Sequence, residues 1–504
     1  MAVAEMKDLR EWLAAVKKVG QLAEVTAEVD PKIEMGTLNY LNGRQKEQSC
    51  LHFVNPKGYD SGTVLFNPIG SSIERLALTF RQEPGNTRMI DLIRYIKDHF
   101  KKVAPEYVPE SEAPIFENVL TGDQIDLYKF PVPQHWQGDG GPYIGTGDII
   151  ITQDPETLRY NVGTYRNMLM DKDKVGFFTS PGKGAGLDKE KWWAQGKPLP
   201  IVAVFGVDPL LTVLGSTGFG NHESEFDYFG GFSGQPVRLV KGGVTGMPIP
   251  ADAEFAVEGY VYSDPNKVMS EGPFGEFTGY YGKPAGTSTY IEIKAVYHRN
   301  KPIFTAAMMA DKPGACEQSF FFSAMRAAKI WRDMEAAGVP NIQGVYSPAV
   351  AAGGWGMTVV SIKQSYAGHA QQAAMAAAGC AGGGFYSKFY WIVDEDIDPT
   401  DMDEVLWAAS TRCRCFEDIQ IINNTWSTPL DPSKNPTELR FSGSKAFIFA
   451  CKEFRYIKNF ARRSGITKED YEKAVKRWEE LGIPGKIPNI TYFAPYIEKG
   501  EIKD

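Results

Sequence analysis

The stretch SEGPFGEFTGYYG, residues 270–282, sets Glu271 and Glu276 five positions apart among glycines, aromatics and a proline. A regular strand sends positions five apart to opposite faces, and a solvated turn draws on Asp, Asn or Ser instead. Gly272, Pro273 and Gly275 interrupt the strand pattern and leave room for the two acids to converge. Phe274, Phe277, Tyr280 and Tyr281 give them an apolar neighbourhood, which raises a carboxyl pKa. A raised carboxyl near an arginine is one way to keep one acid protonated and another charged. The opposing reading is a hairpin whose acids face water.

The flanking sequence is β-rich. From about 115 to 304 short apolar runs are punctuated by Gly and Pro: PIVAVFGVDP, EFAVEGYVYSDP and TSTYIEIKAVYH, the last alternating with period two. Such spacing predicts a sandwich or barrel. Upstream, an amphipathic helix is expected from about Lys7 to Val19, stopped by Gly20, and another from about Met89 to Lys101. The charged, proline-bearing KKVAPEYVPESEAP, 101–114, reads as a linker. Downstream, EQSFFFSAMRAAKIWRDMEAAG predicts a long connecting helix ending at Gly338. GGGFYSKFYWIVDEDIDP then reads as a buried strand entering an acidic turn, and DMDEVLWAASTR as a capped helix. A last helix opens on Thr467 and closes on Gly482. The expected division is an N-terminal α/β unit (1–114), a β unit (115–310), a linking helix (311–340) and a C-terminal α/β unit with a helical tail (341–504).

A chain of 504 residues has length for roughly two to four domains. Its 43% hydrophobic and 23% charged residues are ordinary for a globular enzyme. A net charge of −8 argues against nucleic acid or anionic membrane as the main partner. The N-terminal MAVAEMKDLREWL has no signal-peptide core, and no run nears the ~18 apolar residues of a membrane span, so a cytoplasmic protein is expected. The six cysteines read as reduced thiols; Cys413 and Cys415 have no second pair to complete a zinc site.

Other segments bear on chemistry. RYNVGTYRNM, 159–168, offers the Asn161 carbonyl and, behind a glycine, Arg166; the plain alternative is a strand end with a surface arginine. GNHESEFDYFGG, 220–231, alternates Glu223, Glu225 and Asp227, which on a strand would share one solvated edge. Its oxygens would suit a hard divalent ion better than zinc, with His222 as a further candidate ligand. TSPGKGAGLDKEKW, 179–192, has glycines around Lys183 before a helix start, a geometry able to hold phosphate, although it lacks the GK[ST] of a Walker loop. GDGGPYIGTG, 138–147, superficially matches a dinucleotide fingerprint, but the β-like DIIITQD follows it, so that reading is rejected. The residues alone give an acid pair, with an arginine and a metal as candidate companions.

NVGTYR, SEFDYFGG, EGPFGEFTGYY, KFYWIVDEDIDP and EVLWAASTR, in this order, resemble the UbiD family of prenylated-FMN-dependent (de)carboxylases over nearly the whole chain. The resemblance implies an N-terminal α/β portion, a central split β-barrel related to flavin reductases, and a C-terminal α/β oligomerisation domain. It implies catalytic roles for Glu271, Glu276 and Arg166. Flavin contacts map onto Thr164, Tyr165, Arg166, Lys183 and Gly184, and a phosphate contact onto Lys388. A divalent metal, manganese or alternatively magnesium, falls to Asn161 and Glu225, and potassium is a further implied ion. Gly184 stands where some members carry a histidine metal ligand. The implied partners are a small aromatic or unsaturated carboxylic acid, CO2, a flavin prenyltransferase that supplies the cofactor, and copies of the chain in a homodimer or homohexamer. Competing readings are a flavin oxidoreductase and a subunit of a multi-subunit aromatic carboxylase.

Overall fold

The computed structural model describes residues 6–85, 87–179, 182–219, 223–282, 284–428, 430–434, 442–485, 487–488, 490 and 492–496. The N-terminal helix Leu9–Lys18 buries Leu9, Trp12, Leu13 and Val16 at helical spacing, is capped by Asp8, and stops before Gly20, whose φ is +72°. The second expected helix spans Met89–Asp98. Between them, strands Leu22–Val25, Cys50–Phe53 and Thr63–Phe66 form a mixed sheet. Its fourth strand is Ile303–Ala306, which runs parallel to Thr63–Phe66. The N-terminal sheet is thus completed from more than two hundred residues downstream. The proline-bearing 101–114 segment is also tied in, since Glu106–Tyr107 pairs with Arg238–Lys241.

The central sheet has ten strands built on the long Gly286–His298, where Lys174–Phe177, Phe255–Val261, Val268–Glu271 and Asn118–Thr121 all pair. Leu199–Phe205 is buried along its whole length, and period two explains how. Ile201, Ala203 and Phe205 pack into a core with Phe255, Val257 and Ile293. Val202 and Val204 face a different core, with Ile149, Ile151 and Leu210. Both faces of the sheet are therefore covered. Its described pairings form an open path from Tyr143–Gly145 to Tyr160–Gly163 and do not close into a ring.

The connecting helix is Glu317–Ala336, and Gly338 follows it at φ +82°. Beyond it a five-stranded sheet orders Ile342–Tyr346, Met357–Ile362, Phe389–Asp394, Ser442–Ala450 and Ile419–Trp426. Helix Met402–Arg412 is capped by Asp401, and the tail helix Lys468–Arg477 by Thr467. The chain is a multidomain α/β protein. Among the described residues no helix is long and apolar enough to cross a membrane.

One local expectation is corrected. Glu223, Glu225 and Asp227 do not lie on a strand edge. Helix Phe226–Ser233 begins there, because Phe226, Phe229 and Phe232 are apolar at helical spacing and all become buried. Glu225 sits at its N-cap position and points inward. His222 lies outside the described residues.

Candidate active site

Strand Val268–Glu271 ends on Glu271, and the chain then bends through Gly272, at φ +82°, and a cis Gly272–Pro273 peptide. The bend brings both acids to one guanidinium. Arg166 Nε and Nη2 donate to the two Glu271 carboxylate oxygens at 2.9 and 3.0 Å, while Nη1 donates to Glu276 Oε1. The side chains of Arg166, Glu271 and Glu276 are 9%, 1% and 11% exposed. Arg166 is therefore no surface arginine. Its guanidinium carbon lies 4.8 Å from the Phe178 ring and 5.1 Å from the Phe274 ring, adding cation–π attraction to the ion pairs. The carboxylates raise its pKa against the effect of burial.

Two props of this bend were not singled out from sequence. Tyr143 donates its hydroxyl to Glu271 Oε1 at 2.9 Å. Asp139 accepts from the Trp136 and Gly275 backbone N–H groups at 2.9 and 3.1 Å, which pins the loop between the acids. Both come from 138–147, the stretch rejected as a dinucleotide fingerprint. Its glycines serve close approach instead: a Cβ on Gly140 would lie 2.0 Å from the Gly272 carbonyl oxygen.

Asn161, on strand Tyr160–Gly163, precedes Arg166 by five residues. Helix Gly184–Ala194 starts against it, so that a Cβ on Gly184 would stand 2.0 Å from Asn161 Oδ1. A side chain at 184 has no room here unless Asn161 moves. Glu225 accepts the Val162 backbone N–H at 2.7 Å and is pushed up to about 8 by burial. Tyr165 accepts from Ala185 N–H at 3.2 Å, and burial pushes its phenol up to about 12. Thr164 is half-buried in the short connection before Asn167–Asp171. Among the described residues no three His, Cys, Asp or Glu side chains converge as a metal cluster. The donor set that is present, the Asn161 amide oxygen and the Glu225 carboxylate, consists of hard oxygens and fits a divalent ion of magnesium or manganese type.

The two candidate phosphate lysines approach from different units. Lys183 is the N-cap of helix Gly184–Ala194 and lies 5.5 Å from the Phe385 ring. Lys388 Nζ donates to Asp431 at 2.8 Å and to Ser433 at 2.7 Å. The C-terminal unit thus closes over the acids. Leu430 and the Glu276 stem flank Gly282, where a Cβ would lie 2.5 and 3.1 Å from them. Phe277, next to Glu276, meets Trp355 and Tyr386 with ring centroids 6.1 Å away in each case.

Comparison with known proteins identifies the family of the chain. Models of the 3-octaprenyl-4-hydroxybenzoate carboxy-lyase family match in succession: its N-terminal domain over 13–96, its Rift-related domain over 106–313 and its C-terminal domain over 319–450. The chain is 31% identical over 450 residues to a phenolic acid decarboxylase of Bacillus subtilis (strain 168), covering 86% of this chain and 90% of that protein. The chain belongs to the UbiD family. Its fold resembles the closed form of Sedimentibacter hydroxybenzoicus vanillic acid decarboxylase, with TM-score 0.82, 29% identity, and coverage of 94% of this chain and 99% of that one. It also resembles an evolved dimeric form of a UbiD-class enzyme from Pelotomaculum thermopropionicum in complex with prFMN, with TM-score 0.78, 27% identity, and coverage of 92% and 100%.

Proposed function

We propose that this chain is a prenylated-FMN-dependent carboxy-lyase that reversibly removes CO2 from an aromatic or α,β-unsaturated carboxylic acid, with Glu276 as the proton donor. The observation that carries this reading is a single buried arginine shared by two carboxylates. Loss of CO2 from an sp2 carbon leaves an electron pair in the σ-framework, which no side chain can delocalise. Prenylated FMN, when bound, supplies that electron sink. The residues that would hold such a group are Thr164, Tyr165, Arg166, Lys183, Gly184 and Lys388, with Asn161 and Glu225 as the ligands that an accompanying divalent metal would take. No residue is assigned to potassium.

The chain's own groups then divide the work. Glu271, held by two Arg166 bonds and by Tyr143, fixes the guanidinium fork. Arg166 orients the substrate carboxylate. Glu276, beside Leu430 and Phe277, delivers the proton that replaces CO2. The flavin oxidoreductase reading leaves this acid–arginine–acid set without a use.

We read the open ten-stranded sheet as the split barrel of the family and the four segments above as its domains. The C-terminal sheet is the oligomerisation surface: its edge strand Ile419–Trp426 exposes Ile421 and Trp426, and the neighbouring Phe416 is almost wholly exposed. A homodimer or homohexamer in the cytoplasm, loaded by a flavin prenyltransferase, is the working form. The test is to co-express the chain with a flavin prenyltransferase, weigh the released flavin and follow CO2 from a panel of aromatic acids. Prenylated flavin with CO2 release is expected. Ordinary FMN with NAD(P)H consumption and no CO2 would overturn the reading.

A further inference from the structure

Next to Arg166 two buried side chains turn acceptors toward the same spot. Asn167 opens strand Asn167–Asp171 and Asp148 opens strand Asp148–Gln153; they are 0% and 1% exposed. Asn167 Nδ2 donates to the Gly176 carbonyl at 2.6 Å, which fixes the amide and leaves Oδ1 as its free end. That Oδ1 has no hydrogen-bond partner among the described residues, and neither carboxyl oxygen of Asp148 has one. The two side chains meet beside Gly145: a Cβ there would lie 2.5 Å from Asn167 Oδ1 and 2.9 Å from Asp148 Oδ2. The glycine leaves the space that both oxygens share. Buried polar groups are ordinarily bonded, and three orphaned acceptors at one place lack a hydrogen.

Electrostatics decide what supplies it. Asp148 pairs with Phe205 of strand Leu199–Phe205, and Gly147 beside it abuts Thr305 and Ala307. The strands around it, Tyr143–Gly145, Asn167–Asp171, Leu199–Phe205 and Ile303–Ala306, carry two titratable side chains, Tyr143 and Asp171. These bond to Glu271 and Lys174 respectively. Arg166, the residue before Asn167, is engaged by Glu271 and Glu276. Burial raises the Asp148 pKa well above the ordinary carboxyl value, and no charged side chain offsets it. An isolated carboxylate in such a place is far costlier than a neutral carboxyl. One carboxyl and one amide are also too few oxygens for a resident divalent ion.

We propose that Asp148 stays protonated in the folded protein and donates its carboxyl hydrogen to Asn167 Oδ1, as a positioning residue for Arg166. The bond ties the chain just after Tyr143–Gly145 to the start of Asn167–Asp171. Those two strands pair through Gly145 and Asn167, with a register shift just before Gly145. One carries Tyr143 and the other follows directly on Arg166, the two groups that hold Glu271. Asp148 touches no reacting group and acts through Asn167 on the root of the guanidinium. Only its effect on turnover rests on the carboxy-lyase reading above.

The test begins with the infrared difference spectrum of the full chain, wild type against Asp148→Asn, at about pH 8, where exposed carboxyls are ionised. The C=O band of a protonated carboxyl is expected in the wild type and missing from the variant. A difference spectrum without that band means an ionised Asp148 and overturns the proposal. Asp148→Asn cannot ionise, yet its amide still donates to Asn167. A carboxyl held neutral in the fold contributes stability below its unfolded pKa near 3.9 and loses it as pH rises. The variant should therefore gain on the wild-type melting temperature by about 2–3 °C per pH unit between about pH 5 and 8. A gap that does not change with pH overturns the proposal as well. In flavin-loaded enzyme Asp148→Ala should lower kcat for CO2 release at least about tenfold with KM little changed, and Asp148→Asn should restore most of it. Equal losses in both variants, or none in Asp148→Ala, remove the positioning role. Should Asp148→Ala not fold, a tenfold loss in Asp148→Asn does the same, and retained turnover there supports the role. If the wild type releases no CO2 from any acid, the lyase reading fails, while the band and the melts still decide the state of Asp148.

Discussion

Replacing Arg166 with methionine keeps much of its bulk but leaves Glu271 and Glu276 buried with no guanidinium between them. Breaking a buried pair by removing one partner costs about 3–5 kcal/mol. The two acids have one way to limit that loss, which is to take up protons. Protonating a glutamate with an ordinary pKa near 4.3 costs about 4 kcal/mol at pH 7 but only about 1 kcal/mol at pH 5. A carboxyl that prefers to be neutral when folded stabilises below its unfolded pKa and loses that contribution as pH rises. The deficit of Arg166→Met should therefore be largest near neutrality and shrink by up to about 3 kcal/mol on acidification. At roughly 2 °C per kcal/mol for a cooperative unit of about 200 residues, flavin-free Arg166→Met should melt about 6–10 °C below the wild-type chain at pH 7. At pH 5 most of that gap should close. Thermal melts followed by circular dichroism across this range are the assay. A shift of under about 2 °C at pH 7, or one independent of pH, would refute a buried acid–arginine–acid set. Arg166→Lys should also fail to restore decarboxylation, because a point charge cannot make the forked contact with Glu271.

Gly184→Ala should drive its Cβ into Asn161 and lower flavin and manganese retention in purified protein; unchanged flavin absorbance and metal content would remove Asn161 from that role. Burial lowers the Lys445 pKa to about 8. Its unfolded value is near 10.4, so the unfolded chain binds more protons between these values, and stability should rise with pH across that window. Lys445→Met should flatten the rise in melting temperature between about pH 8 and 10; an identical slope in both proteins would contradict the buried, depressed lysine.

Much of this was legible in the residues, because the signals were local. Period two in TSTYIEIKAVYH marks strand Gly286–His298, and Asp401 and Thr467 mark helix starts through their side-chain caps. Gly272 and Pro273 marked the bend that lets Glu271 and Glu276 meet. What could not be read depended on distant partners. Ile303–Ala306 looks like any β run, and nothing in it announces pairing with Thr63–Phe66. The acidic alternation at 223–227 mimics a strand until the spacing of Phe226, Phe229 and Phe232 is weighed against it. Asp139 and Tyr143, from 138–147, and Leu430, from the C-terminal unit, reach the acid-bearing bend from elsewhere in the chain, and only tertiary packing shows that they converge.

The central claim is that one carboxyl of the pair gives up a proton while its neighbour stays fixed on Arg166. Flavin-loaded Glu276→Gln, incubated with an aromatic acid turned over by the wild-type enzyme while CO2 release is followed, tests it most directly. Turnover lower by at least about a hundredfold, with flavin still bound, is the predicted result. CO2 release at the wild-type rate would contradict it.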